Sequence, residues 1–532
     1  MKREKYVLAI DLGTGGPKTA LVSMHGEVAG HELILVETRH LPGGGAVQDP
    51  HEWWSAIVSS ARKLLAGGIV DPADVVAVAC TGQWGSTVPV DARGEPAGDC
   101  ILWMDNRGAP YSAKLVGGPV QVAGYAPLKA LRWIRKSGGA PSPLGNDPVG
   151  HILFLRHEQP DVYRRAAMFL EPVDYLNLRF TGAVSATRTS MVLSWLTDNR
   201  DPESARYDPQ LVKMSSLDPG MLPPLRKVGS VVGTVLPGVA RELGLPGGVQ
   251  VIDGTPDLHS AAIGSGAIAD YEPHLAISTT SWLSCHVPFK RTDVTHQIAA
   301  IPSVIPGRYL VANNHDTAGV CLQWLRDNVV LSDDGLARSV PSPDGYAAYD
   351  RLVAAAPAGS DGVIFTPWLA GERCPVDDRN VRAAFYNLSL STTRAHMVRS
   401  VFEGVAFNAR WMLDAVEKFV RRPLGAIRFI GGGAASDVWC QIHADVLDRP
   451  VHRVEAPLLA NVRGAALFAS MVLGEVRQSQ VPQLVRIDAT FEPDPANRAV
   501  YGELYREYPG LYHRQRKMYA RLNGRKSTPQ RA

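Results

Sequence analysis

The sequence predicts an α/β fold, and three observations carry that expectation. Short apolar runs bounded by turn residues alternate with segments of helical periodicity. Four strand-like runs, near residues 10, 254, 278 and 431, end in small or glycine-rich turns, where open α/β sheets place their ligands. The length of 532 residues exceeds what one core supports and implies two or three domains.

The first element is an apolar strand, a turn with three glycines and a second strand over residues 7–22. Gly13, Gly15 and Gly16 suit a tight turn or a close approach of backbone N–H groups to an anion. Asp11, at the end of the first strand, is the kind of carboxylate that holds Mg²⁺ beside phosphate. Thr14 and Lys18 add a hydroxyl and a cation. On its own the stretch reads equally as a phosphate nest or as a plain hairpin. Neither a Walker loop nor the Gly-x-Gly-x-x-Gly spacing is present.

Residues 53–65 carry helical periodicity and residues 75–80 a buried-strand run, and a helix-like segment over 152–165 precedes a short strand at 167–170. Residues 198–248 are rich in Pro and Gly, and the strand at 249–252 closes in Asp253-Gly254-Thr255-Pro256-Asp257. Asp257 precedes a helix-like stretch, which makes a helix-cap role one reading of it. A second unit starts near residue 270, with a strand running into Ser278-Thr279-Thr280, and a later one runs into Gly431-Gly432-Gly433. Tyr501, Tyr505, Tyr508, Tyr512 and Tyr519 share one helix face and are expected to pack on the domain surface. Pro509-Gly510 should kink or break that helix, and residues 521–531 read as a solvated basic tail.

Composition narrows the function classes. With 45% hydrophobic and 20% charged residues, the chain reads as soluble and globular. A formal charge of +3 gives no reason to expect nucleic acid or a membrane surface as partner. Six scattered cysteines without a Cys-x-x-Cys pair argue against a zinc site or a disulfide framework and fit a reducing cytoplasm. The first residues hold no long apolar signal region. A cytoplasmic enzyme is the expectation.

Seven motifs, in order from residue 7 to about 468, resemble those of the FGGY carbohydrate kinases. They are Asp11-Leu12-Gly13-Thr14 with Lys18, Leu102-Trp103-Met104-Asp105-Asn106-Arg107, and Asp174-Tyr175-Leu176 running to Thr181-Gly182. Ala318-Gly319 with Gln323-Trp324-Leu325, Gly371-Glu372-Arg373-Cys374-Pro375, Glu403-Gly404 and the run 431–436 complete them. The resemblance implies two actin/hexokinase-like (ribonuclease H-like) ATPase domains with an interdomain cleft. Its boundaries would be 1–266 for the sugar and phosphate side, 267–475 for the adenine side and 476–532 for a helical extension and tail.

Within the family the xylulokinase branch fits best, on residues 150–160 and 433–445. The implied reaction is ATP-dependent phosphorylation of a sugar hydroxyl, D-xylulose to D-xylulose 5-phosphate. Asp257 matches the catalytic aspartate, as general base, and Asp11 the Mg²⁺ carboxylate. Gly13, Thr14, Gly15, Thr279 and Thr280 would meet the phosphates of ATP. Lys18 either adds charge there or is a solvated strand lysine. Gly319, Gln323, Gly432 and Gly433 would border the ribose and adenine. Gln83, Trp84, Asp105 and Asp257 are the sugar candidates, with core packing the other reading of Trp84. The resemblance also allows a homodimer. Three departures stand out: Trp84-Gly85 where Met-His is usual, Leu258 where Asn or Gln is common, and Ser278 in place of Gly. They imply a changed acceptor (another ketose, a polyol or a sugar acid) or a silent nucleotide-binding regulator.

Overall fold

The structure is a computed structural model that describes residues 3–330 and 345–524. Its first half is built on β1 (Tyr6–Gly13), β2 (Gly16–Ser23) and β3 (Val28–Leu33), followed by α1 (Pro50–Ala66), β4 (Val75–Gly82) and β5 (Val88–Val90). After these come β6 (Met168–Leu170), α2 (Pro172–Thr181), β7 (Val231–Thr234), β8 (Gln250–Pro256) and α3 (Asp257–Gly264). The sheet order is β7-β8-β4-β1-β2-β3. β1, β4 and β8 run parallel, while β2, β3 and β7 are antiparallel to their neighbours. Central parallel strands are covered on both faces, which is why β1 reads as one unbroken apolar run up to Asp11.

Alternation along the strands sorts the two faces. Leu8, Ile10 and Leu12 pack with Trp53, Ile57 and Leu64 of α1 and with Leu176 of α2. Val7 and Ala9 point the other way, among Ala20, Val22, Ala77 and Ala79. That second face is made of small residues, so a helix can lie close to it.

The second half holds β9 (His274–Ile277), β10 (Ser281–Ser284), α4 (Val320–Leu325), α5 (Arg394–Val420), β11 (Ile427–Ile430) and α6 (Asp437–Leu447). Then follow β12 (Val451–Val454), α7 (Ala460–Val472), β13 (Ile487–Phe491) and α8 (Arg498–Asn523). Its sheet order is β10-β9-β11-β12-β13, with β9, β11 and β12 parallel and a β9–β10 hairpin at one edge. The two sheets thus share one plan, a hairpin followed by parallel strands.

Between the halves, α7 lies on the small-residue face of the first sheet, contributing Ala460, Val462, Ala465, Ala466 and Ala469 to one core with Val7 and Ala9. It also crosses α3 at a pair of glycines. A Cβ on Gly264 would sit 1.7 Å from the Ala460 carbonyl oxygen, and one on Gly464 would sit 1.9 Å from that of Ser260. Only hydrogen fits at that crossing.

Two expectations are corrected. The segment 152–165 is two helices, Pro148–Glu158 and Pro160–Arg165, because a proline inside one helix would remove a backbone hydrogen bond. Conversely, α8 runs through Pro509 without a break, and its tyrosines are core rather than surface: Tyr501 and Tyr508 are fully buried. Tyr501 Oη donates to Glu403 Oε1 at 2.8 Å and accepts from Arg399 at 2.9 Å, while Tyr508 Oη donates to Asn408 at 3.2 Å. A proline inside a helix costs ~3 kcal/mol, and burying large side chains on both sides of it returns ~1.5–3 kcal/mol each. Burial wins. Residues 525–532 of the expected tail lie outside the described residues.

Candidate active site

The site is set by strand register. Leu12, Gly82 and Pro256 stand level with one another across β1, β4 and β8. Their successors Gly13, Gln83 and Asp257 therefore emerge side by side at the carboxyl edge of the sheet, the ligand edge of open α/β folds. The strands approach closely there: a Cβ on Gly82 would lie 2.6 Å from the Leu12 carbonyl oxygen.

The glycines of the β1–β2 turn are not equivalent. Gly16 has φ +136°, and its Cβ would fall 2.1 Å from the Ile34 carbonyl oxygen, so the hairpin itself requires it. Gly13 and Gly15 keep ordinary φ; a Cβ on Gly13 would meet nothing nearer than 3.7 Å and one on Gly15 nothing within 4 Å. No local packing demands those two. They leave bare backbone facing open space, as an anion cradle needs.

Asp11 and Lys18 pair across the hairpin and, by alternation, point towards α7. Asp11 is 8% exposed. Burial raises its carboxyl above the usual range, against the pull of Lys18 and a hydrogen bond from Asn461 of α7. Lys18 Nζ reaches across to donate to the Leu458 carbonyl at 2.8 Å. A buried carboxylate beside bare backbone N–H groups suits a divalent cation that takes its other ligands from phosphate and water. Among the described residues no cluster of three or more His, Cys, Asp or Glu forms a metal cage.

Asp257 opens α3, and its Oδ1 accepts the Leu258 N–H at 2.7 Å. Among the described residues its second oxygen has no partner. Burial first, and then Asp11, push its carboxyl up to about 7, within reach of a proton acceptor at neutral pH. Around it lies a polar network: Gln83 donates to Gln48 at 3.2 Å, Gln48 to the Thr14 carbonyl at 2.6 Å, and Trp103 Nε1 to the Thr14 hydroxyl at 3.2 Å. Trp84 is half-buried. Its indole N–H donates to the Ser190 carbonyl at 2.7 Å, and its ring stands edge-on to His259.

Asp105 is placed differently from the expectation. It is fully buried and binds the Arg107 guanidinium at 2.6 Å and the Ala46 N–H at 2.9 Å. It braces a turn instead of lining the cleft, because the arginine two residues on saturates it.

The second hairpin is built on the same logic. The Ser278 and Thr279 carbonyls accept the Gly319 and Ala318 N–H groups at 2.8 and 3.0 Å, which leaves Thr279 exposed and Thr280 half-buried at the turn. Gly319 is required there, since its Cβ would lie 2.3 Å from the Ser278 carbonyl oxygen. Gln323 is exposed on α4. Gly431 (φ +86°) and Gly433 press on Ile277 at the end of β9, while Gly432 is exposed. So Thr279, Thr280, Gly319, Gly432 and Gly433 gather around the carboxyl ends of β9 and β11.

Glu372 supports that loop set, accepting from Asn408 at 2.6 Å, the Arg373 N–H at 2.8 Å and the Asp316 N–H at 3.3 Å. Burial, then Asp316, push it up to about 8. Its folded value stands above its unfolded one. The stability it contributes is therefore complete below about pH 4.5 and is lost as pH rises through about 8. In urea melts from pH 5 to 9, Glu372→Gln is expected to flatten a decline on the order of a few kcal/mol; parallel curves for the two proteins would refute this.

Gln48, Trp103's indole N–H and Asn461 enter the site without having been singled out for it. Each reaches it through long-range pairing, and only Trp103 lies in a motif.

Residues 6–264 match the FGGY family of carbohydrate kinases, N-terminal domain, and residues 278–473 match its C-terminal domain. The chain is 27% identical over 528 residues to a xylulose kinase of Staphylococcus epidermidis, covering 98% of this chain and 99% of that one. It is 23% identical over 447 residues to a gluconokinase of Bacillus subtilis, covering 84% and 83%. Among solved structures, a ligand-bound xylulose kinase from Lactobacillus acidophilus superposes with a TM-score of 0.83 at 22% identity, covering 97% of this chain and all of that one; that likeness speaks for the fold. Fold and site together define a two-domain α/β sugar kinase. The chain belongs to the FGGY family of carbohydrate kinases. Among the described residues no helix is long and apolar enough to cross a membrane.

Proposed function

We propose that this kinase transfers the γ-phosphoryl group of ATP to a hydroxyl of D-xylulose, giving D-xylulose 5-phosphate, with Asp257 as general base. The observation that supports this is the level emergence of Gly13, Gln83 and Asp257 from three adjacent strands; an acceptor held there would lie beside both the proposed base and the phosphate hairpin. Asp257 accepts the proton of the attacking hydroxyl as oxygen bonds to phosphorus and ADP leaves. Gly13 and Gly15 offer backbone N–H groups to the phosphates, joined by the Thr279 and Thr280 hydroxyls from the other half. Thr14 serves both sides. Asp11 would hold Mg²⁺, which when bound neutralises phosphate charge. Lys18 adds positive charge, and Gly319, Gln323, Gly432 and Gly433 border the nucleoside. Holding the two reactants in line supplies much of the rate.

A specific observation favours another acceptor within the same chemistry. The Trp84 N–H is already committed to Ser190, and Leu258 next to the base is apolar. The pocket therefore offers fewer polar contacts than Met-His and Asn would. An ADP-release assay with Mg-ATP across ketoses, polyols and sugar acids decides: turnover with D-xylulose is expected. Turnover only with a different acceptor corrects the substrate, and nucleotide binding without turnover on any of them overturns the kinase reading.

A further inference from the structure

The Asp174-Tyr175-Leu176 motif has so far no part in the site, and the acid just before its helix, Glu171, is 1% exposed with no cationic partner among the described residues. Glu171 follows β6, which pairs antiparallel with β5, Val88 opposite Leu170. That pairing brings Glu171 under residues 83–86, the connection that leaves β4 and carries Gln83 and Trp84. Glu171 Oε2 accepts the Gly85 N–H at 3.0 Å. Gly85 sits at φ +79°, where its Cβ would press on Leu193 at 3.0 Å. The Ser86 hydroxyl in turn accepts the Trp103 N–H at 3.1 Å. One turn into α2, Asp174 lies near the Ser190 side chain, and the Ser190 carbonyl takes the Trp84 indole.

We infer that Glu171 is the positioning residue of the acceptor pocket: it seats the Trp84-Gly85-Ser86 turn by gripping the Gly85 N–H, so that Gln83 and Trp84 face the acceptor. It touches no reactant in this role. Burial, then Asp174 and, more weakly, Asp257, hold the Glu171 carboxyl well above the usual range. Glu171 also lines a cavity of about 10 Å³, and among the described residues its Oε1 has no hydrogen-bond partner.

This inference rests on the proposed sugar-kinase reading, and two measurements separate the fates of the two. Steady-state kinetics on Glu171→Ala should raise the acceptor KM at least tenfold while the ATP KM and kcat stay within threefold. Amide exchange of peptides spanning residues 82–90 should speed up at least tenfold in the same variant. Glu171→Gln, neutral and isosteric, should restore both to within threefold of the parent. An acceptor KM or an exchange rate unmoved in Glu171→Ala overturns the inference. So does a Glu171→Gln variant as impaired as Glu171→Ala, or an ATP KM that rises in step with the acceptor KM. Exchange reads the seat without any acceptor. A parent enzyme that phosphorylates nothing would thus defeat the kinase reading while exchange still judges Glu171.

Discussion

Asp257→Asn is expected to lower kcat by about a hundred- to ten-thousand-fold, roughly 3 to 5 kcal/mol of transition-state stabilisation. Asparagine keeps the volume and can still accept the Leu258 N–H in the first turn of α3, so the fold and nucleotide affinity should survive. What disappears is the proton acceptor. Equilibrium binding of ATP within threefold of the parent, alongside lost ADP release, would isolate the chemical step. A variant keeping more than a tenth of the parent kcat would remove Asp257 from the role of base. The parent should also show an acid limb. Because burial and Asp11 set Asp257 at about 7, kcat/KM falls towards acid as the base becomes protonated and levels off above that value.

The second large effect is mechanical. Gly464→Ala places a methyl group 1.9 Å from the Ser260 carbonyl oxygen, well inside van der Waals contact. The helices must separate or the backbone must yield. Overpacking of this kind costs about 1–3 kcal/mol, read as a lower urea midpoint. Activity should suffer more than that figure suggests. α3 carries Asp257 at its first residue and α7 carries Asn461 beside Asp11, so parting them separates the two carboxylates, and a displacement of ~1 Å can cost a hundredfold. Parent-like kcat with an unchanged midpoint would show that the crossing has room to give.

Much of the layout could be read before folding. The β1–β2 hairpin and the strand ends near 254, 278 and 431 are local patterns of apolar runs and turn residues. The ordered motifs added the two-domain plan. Register was not legible. Nothing between residues 12 and 256 announces that Leu12, Gly82 and Pro256 stand level, because side chains report the face of a strand but not its neighbour's offset. Gln48 and Asn461 were invisible for the same reason. Each is one polar residue at the end of an unremarkable apolar stretch until pairing delivers it to Thr14 or Asp11. Asp105 misled through its neighbour, since an aspartate two residues before an arginine can satisfy itself. Pro509 misled because a local cost was weighed without the buried tyrosines that offset it.

The tyrosine helix α8 also bears on how the protein is made. Glu403 and Arg399 are buried within α5 and find part of their hydrogen bonding in Tyr501, about a hundred residues later in the chain. During synthesis the first sheet can be covered on both faces once α7 has emerged, before the last helix is made. The second half cannot close then, because its central helix waits with an uncovered ion pair and an open apolar seam until the last helix leaves the ribosome. Translation arrested before residue 501 would release a polypeptide with a complete first sheet and an unfinished partner, a natural substrate for chaperones and proteases.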